Sequence, residues 1–258
     1  MYIFIRMIIS ATADASYIDY LRVFVKSTLK TNPNHCVWVQ LIDCSEYKQE
    51  LEDLGCYVST IKPKFPLDKT RKFIKQDDAE ALSQYHRGVL TPEIRKQIFF
   101  SAYECFCTHA RFPHINRILQ YMDPDECCII ADADTIIRKP LRHIEDVLYD
   151  HELCMRFDDT GKDIEFVNEG FMGIRKTPTT TGFFAYVQKI MADPQAGHDW
   201  DYDTYALNKA YSKYPDISLY KLPAKYKDNK LRDESAVWSG SSLAKDDDRY
   251  KQEMALYG

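Results

Sequence analysis

The amino-acid sequence predicts a single α/β domain with a mostly parallel central sheet flanked by helices, on three observations. Short β-branched and aromatic runs alternate with segments of helical period, no linker or shift of composition divides the 258 residues, and 45% of them are hydrophobic. Charged residues make up 28%, enough for a polar surface around a large core. Residues 1–258 are therefore read as one domain.

The elements follow in order. Tyr2 to Ile9 is an apolar first strand around Arg6, and its apolar run is far shorter than the roughly 18 residues of a membrane span. Ser16 to Leu29 follows as a helix with Tyr17, Tyr20, Leu21, Phe24 and Val25 on one side. His35 to Ile42 is a second strand; Ser45 caps a short helix from Glu46 to Leu54, Gly55 ends it, and Cys56 to Ile61 is a third strand. Residues 62–92, with prolines at 63, 66 and 92 among many charges, read as an irregular excursion. Glu93 to Thr108 is strongly helical, and a second helical piece runs to about Tyr121. A turn at Asp123-Pro124-Asp125 leads into the apolar strand Cys127 to Ile130. Phe166 to Ile174 is a further strand, Thr181 to Met191 and Asp201 to Tyr214 are helices, Ile217 to Leu222 is a short strand, and residues 225–258 read as a polar, irregular tail.

Several classes are disfavoured. A net charge of −5 gives no global reason to expect a nucleic-acid or membrane partner. The eight cysteines show neither C-x-x-C nor zinc spacing, and without a secretion signal they read as free thiols of a cytoplasmic protein, a host's cytoplasm if a phage encodes it. The first glycine is Gly55, so the first strand-to-helix turn carries no G-x-G-x-x-G, Walker loop or nucleotidylyltransferase glycine signature.

The chemistry gathers at Cys127-Cys-Ile-Ile-Ala-Asp-Ala-Asp-Thr, where Asp132 and Asp134 stand two residues apart after a buried strand. In extended backbone they face one side, repel each other and resist desolvation unless a cation or donors share the site. A hard divalent ion, Mn2+ or Mg2+, meets that cost and can bridge phosphates. The end of a strand in an open α/β sheet is also where ligands bind. Read blandly, the two are turn or cap residues on a solvated rim.

With these motifs the sequence resembles the GT-A superfamily of glycosyltransferases, most nearly its retaining, glycogenin-like group with the lipopolysaccharide galactosyl- and glucosyltransferases. The resemblance is one of motifs in family order, from about Ser10 to Lys245. It implies a Rossmann-like GT-A domain, a nucleotide-diphosphate sugar as donor, most simply a UDP-sugar, and the divalent metal on Asp132 and Asp134. Ser10-Ala-Thr-Ala-Asp-Ala-Ser-Tyr17 is similar to the donor-base loop, which implies contacts of Thr12, Asp14 and Tyr17 with uracil. The plainer alternative is an Asx-type helix start. Arg111 occupies the place of an arginine near the donor. Phe166-Val-Asn168-Glu169-Gly170 resembles the F-N-[ST]-G strand, and Asp203-Thr-Tyr-Ala-Leu-Asn208 resembles D-Q-x-x-L-N with Thr204 for Gln. These imply Asn168, Glu169 and Asp203 at the sugar and the acceptor, although a first-turn Asp203 would also suit a helix dipole. Leu222-Pro-Ala-Lys-Tyr226 resembles L-P-x-x-[WY]-N, and the tail from Ser239 to Lys245 is spaced like H-x-x-G-x-x-K, which places Lys245 on the diphosphate. Ser239 stands where the third metal ligand belongs, and Ser242 replaces the glycine.

The acceptor is less legible. Lys62, Lys64, Lys69, Arg71, Lys72 and Lys75, and the basic stretch from Lys221 to Arg232, leave open a polyanion such as hydroxymethylated DNA beside a glycan. Two other readings stand: a nucleotide-sugar-binding protein without turnover, and a metal-dependent phosphohydrolase using the same acids. Oligomeric state is not legible.

Overall fold

The structure, a computed structural model, describes residues 7–69, 72–73, 98–99, 101–158, 166–192 and 202–258. Its strands and helices in chain order are β1 (Ile8–Asp14), α1 (Ile18–Thr31), β2 (Cys36–Ile42), α2 (Lys48–Asp53), β3 (Tyr57–Ile61), β4 (Lys72–Phe73), β5 (Ile98–Phe99), α3 (Ala102–His109), α4 (Arg111–Tyr121), β6 (Cys127–Asp132), β7 (Thr135–Ile137), α5 (Arg142–Asp150), β8 (Leu153–Asp158), β9 (Phe166–Arg175), α6 (Pro178–Met191), α7 (Tyr202–Lys213), β10 (Leu219–Lys221), β11 (Val237–Ser239) and α8 (Asp248–Ala255). Seven strands form the main sheet in the order β10-β8-β9-β6-β1-β2-β3. All neighbours are parallel except β9, which runs antiparallel to both β6 and β8.

Strand β6 shows why this sequence makes a central strand. Cys127, Ile129 and Ala131 enter the core on one face with α1 and α5, while Cys128 and Ile130 enter the core on the other with α4, α6 and α7. A strand buried on both faces reads as an unbroken apolar run, so the first carboxylate, Asp132, appears only where the strand ends. All eight cysteines are free and six are buried, as small core residues are. Among the described residues no helix is long and apolar enough to cross a membrane.

Four expectations are corrected. The first strand does not end near Ser10: it runs through Asp14, because β2 and β6 hydrogen-bond it on both sides up to Thr12 and β2 beyond; residues 1–6 lie outside the described residues. Ser45 is not a cap, since it opens a 3-10 turn (Ser45–Tyr47) whose preceding residue is Cys44, although Gly55 does end the segment with φ +97°. The expected helix from Glu93 to Thr108 is interrupted, for Ile98–Phe99 pair with Lys72–Phe73 and the helix starts only at Ala102. Ser101 starts that helix with a capping box, its hydroxyl accepting from the Glu104 amide and the Glu104 carboxylate accepting from the Ser101 amide. The rest of that expected helix, and most of the 62–92 excursion, lie outside the described residues.

The largest correction concerns the tail. Residues 225–258 form β11, a 3-10 helix (Ser242–Asp246) and α8, with Leu231, Trp238 and Tyr250 buried against Val23 and Ile136. Arg138 lies over the Trp238 ring at 3.8 Å. The amphipathic helix α5 and strands β7 and β8 were not expected at all; α5 buries Ile144, Val147 and Leu148 at helical spacing.

Beneath β1 and β2 lies a buried polar group of some consequence. Ser10 donates its hydroxyl to the Trp38 carbonyl and lies 2.9 Å from His114 Nε2, and the His114 ring meets Trp38 edge-on at 5.6 Å. Burial pushes the His114 pKa from 6.5 down to about 4. The unfolded chain then binds a proton that the folded one refuses, so stability falls as pH drops from about 6.5 toward 4. The cost reaches roughly 3 kcal/mol at the low end. Urea unfolding at pH 7 and pH 5 will show a lower midpoint at pH 5, and His114→Gln will flatten that difference. An unchanged pH slope in the variant would assign the effect elsewhere.

Candidate active site

The site forms where β1, β6 and β9 end and the C-terminal segment folds back over them. Asp132 closes β6 in register with Thr12 of β1, and Asp134 lies in the turn to β7. The returning chain fixes that turn: β11 pairs antiparallel with β7, the Gly240 amide donates to the Asp134 carbonyl at 2.8 Å, and Tyr250 Oη donates to the same oxygen at 2.6 Å. A tail that reads as irregular is thus what holds the second carboxylate.

Three cations meet the two acids. Asp132 Oδ1 accepts from Arg111 Nη1 at 3.0 Å and its Oδ2 from Lys227 Nζ at 3.2 Å, while Asp134 Oδ2 lies 2.7 Å from Lys245 Nζ. Burial pushes the Asp132 carboxyl up, but Lys227 and Arg111 outweigh it and hold the group below the usual range. Burial pushes Asp134 up as well; Lys245 opposes that, and the charge of Asp132 adds to it. Burial works against the charged form of Lys245, but Asp134 and Tyr17 hold its pKa above normal. Arg111 also donates to the Glu169 carbonyl at 3.2 Å and feels the charges of Asp132, Glu169 and Asp203, so those acids share one field.

The residues expected from the sequence are brought together unevenly. Tyr17 is 39% exposed, accepts a hydrogen bond from Lys245 at 3.0 Å, and has Tyr20 as its aromatic neighbour at 5.6 Å. Thr12 carries a buried hydroxyl with no hydrogen-bond partner among the described residues. Asp14 behaves as the plainer alternative had it: its carboxylate accepts from the Ser16 amide and hydroxyl and starts a 3-10 turn (Ala15–Tyr17). Asp203 is buried in the first turn of α7, where its Oδ1 accepts from the Thr204 amide at 2.7 Å. Thr204 in turn reaches Glu169 Oε2 at 3.4 Å, tying α7 to β9. Asn168 holds a place in β9 opposite Arg156, and its side chain lies outside the described residues.

Lys227 was missed, although one signal pointed to it. It occupies the sixth position of the L-P-x-x-[WY]-N pattern, where asparagine is expected. A 3-10 turn (Ala224–Tyr226) delivers it, and Arg156 Nη1 clamps its carbonyl at 2.9 Å. The next residue, buried Asp228, accepts from the amides of Lys230 and Arg232, the Arg232 side chain and the Ser235 hydroxyl, so the following loop is tied down. Room for the ammonium comes from Gly170, where an added β-carbon would fall inside contact distance of Lys227 Nζ and Asp132 Oδ2.

A divalent ion fits this arrangement poorly. Two carboxylates and substrate phosphates can hold magnesium, but here three of the four carboxylate oxygens face cations whose side chains are 10–23% exposed. No group of three His, Cys, Asp or Glu suited to a metal occurs among the described residues. Ser239, at the expected third-ligand position, is fully buried and accepts from the Ser241 amide at 3.3 Å. A cavity of about 420 Å³ lies at the other end of the sheet, lined by Met7, Asp125, Cys127, Glu145, Tyr149 and Arg175, and no expected site residue lines it.

The close fit at Gly170 yields a test by double-mutant cycle. Gly170→Ala alone will destabilise the chain by about 1–3 kcal/mol in urea unfolding, as overpacking does. In a Lys227→Ala background that cost will shrink by about 1 kcal/mol or more, since the obstructing ammonium is gone. Additive costs would show that the two side chains do not compete for space.

Comparison with known proteins matches the sequence to no protein family and to no curated protein. Solved structures do match. The chain is similar to the glycosyltransferase GlyE of Streptococcus pneumoniae TIGR4 (12% identity over 98% of this chain and 62% of that one, TM-score 0.56). It is similar also to an active-site mutant of LgtC (14%, 97% and 96%, TM-score 0.53) and to mouse xyloside xylosyltransferase 1 (11%, 93% and 99%, TM-score 0.51). The chain thus spans about three-fifths of the length of GlyE. At these identities the likeness is one of fold: the chain has the mixed α/β fold of the GT-A glycosyltransferases.

Proposed function

We propose that the chain is a glycosyltransferase that moves a sugar from a nucleotide-diphosphate sugar, most simply a UDP-sugar, to an acceptor hydroxyl. The observation that carries this is the cluster of Asp132, Asp134, Arg111, Lys227 and Lys245 at the ends of the central strands in that fold, with a half-exposed tyrosine beside it. Tyr17 offers a flat ring to a base, and the cations offer charge to a diphosphate.

In the reaction the bond from the anomeric carbon to the β-phosphate oxygen breaks, and its electron pair leaves on that oxygen. The acceptor oxygen bonds to the anomeric carbon, and the departing diphosphate takes the acceptor proton, a course that retains configuration when attack comes from the leaving-group face. Arg111, Lys227 and Lys245 stabilise the charge gathering on the leaving group. Glu169 and Asp203, in the field of Arg111, orient sugar and acceptor hydroxyls, with Asn168 beside them in β9.

We take a glycan, in preference to DNA, as the acceptor. In the second basic stretch Lys227 turns inward onto Asp132, and Arg232 pairs with Asp228 at 3.1 Å. In the first, Lys69 lies over the Tyr103 ring at 4.3 Å, while Arg71 and Lys75 lie outside the described residues. The free cysteines fit a reducing compartment such as the cytoplasm.

Thermal-shift screening of nucleotide sugars, followed by assay of nucleoside-diphosphate release, tests the proposal. A UDP-sugar will raise the melting temperature, and an acceptor glycan will speed UDP release. Tyr17→Ala will weaken UDP about tenfold, or about 1.4 kcal/mol. Binding with no release points to a protein without turnover, release indifferent to acceptor points to a phosphohydrolase, and the absence of any nucleotide-sugar shift refutes the reading.

A further inference from the structure

We propose that the diphosphate of the donor is held by Lys227, Arg111 and Lys245 in place of a divalent ion, so that donor binding and sugar transfer persist when divalent cations are removed. The inference rests on the glycosyltransferase reading above. It departs from the metal expected at Asp132 and Asp134, and three observations support it.

The first is occupancy. An ion coordinating these carboxylates must approach their oxygens to roughly 2.0–2.6 Å. Asp132 Oδ1 and Oδ2 already face Arg111 and Lys227, and Asp134 Oδ2 faces Lys245. A divalent charge placed there would lie against ammonium and guanidinium groups drawn largely out of water, where repulsion is weakly screened.

The second is that Lys227 is built in. Its side chain is 10% exposed, its backbone is clamped by Arg156, and Tyr226 before it is buried and stacks on Phe171 at 6.2 Å. Asp228 after it gathers the following loop, and the glycine at position 170 leaves space for the ammonium alone. A lysine fixed in this way is preorganised toward an anion, and need not be drawn in from solvent.

The third is the chemistry of the groups around the acids. At the expected third-ligand position Ser239 offers a neutral hydroxyl, fully buried and engaged with the Ser241 amide. At the end of the segment Leu222–Lys227 stands a cation that reaches Asp132. Among the described residues the acids thus have no third protein ligand to share an ion, and they have the positive charge an ion would bring. The same role follows for both: countercharge for the leaving diphosphate, supplied as a point charge by the lysines and as a fork by Arg111.

Calorimetric titration with UDP, in EDTA and then with added Mn2+, reads the proposal directly, and UDP release in the same buffers gives the rate. Wild-type affinity in EDTA will lie within about threefold of that with Mn2+, a difference of under 1 kcal/mol. Lys227→Met, which keeps the length of the side chain and removes its charge, will lower the affinity in EDTA by about tenfold or more. Lys227→Arg will retain most of it, and the melting temperature of each variant will confirm folding. UDP binding that disappears in EDTA and returns with Mn2+ overturns the proposal and leaves the glycosyltransferase reading intact. Undiminished binding by folded Lys227→Met also overturns it. Failure of wild-type protein to bind UDP or any other nucleoside diphosphate in either buffer removes both.

Discussion

Two carboxylates at the end of a strand buried on both faces are the constraint around which this molecule is arranged. Asp132 and Asp134 lose water as the surrounding elements close over them, and each repels the other. Such a pair is tolerable only if positive charge reaches it. It arrives from three places remote in sequence: Arg111 at the start of α4, Lys227 after a turn that follows β10, and Lys245 in the 3-10 helix before α8.

That requirement explains features otherwise hard to place. The C-terminal segment is anchored on the turn holding Asp134 by β11, the Gly240 amide and Tyr250, and it carries Lys245 in as it folds. Gly170 opens β9 just enough for an ammonium to reach Asp132, and the antiparallel direction of β9 sets Glu169 and Gly170 beside the end of β6. The cations that make the acids tolerable are the same ones that the proposal turns toward a diphosphate. On that proposal, stability and anion recognition draw on the same side chains.

The sequence showed the parts whose signal is local. The apolar run before Asp132, the helix of Tyr20, Leu21, Phe24 and Val25, and Gly55 as a stop all appear where periodicity and glycine conformation put them. The acidic pair stood out at the end of its strand, Arg111, Tyr17 and Lys245 were implied by the family resemblance, and the structure sets them in one network. What stayed hidden depends on distant contacts. The helix expected across Ile98 and Phe99 gave way to pairing with Lys72 and Phe73, and the polar tail became ordered because Trp238 and Tyr250 find Val23 and Ile136. Lys227 looked like one more base in a solvated stretch, because no local pattern says that a lysine will turn inward. Asp14 was read both as a contact to the base and as the start of a turn, and its carboxylate does cap that turn, as an Asp before a helical segment has a partner close at hand.

The central claim is that this carboxylate-cation cluster grips the diphosphate of an activated sugar. A crystal structure of the chain with a bound nucleoside diphosphate tests it most directly. The account predicts phosphate oxygens at about 2.7–3.2 Å from nitrogens of Lys227, Lys245 or Arg111, with the base beside Tyr17. A nucleotide seated away from the ends of β1 and β6, with all three cations still on their carboxylates, would contradict it.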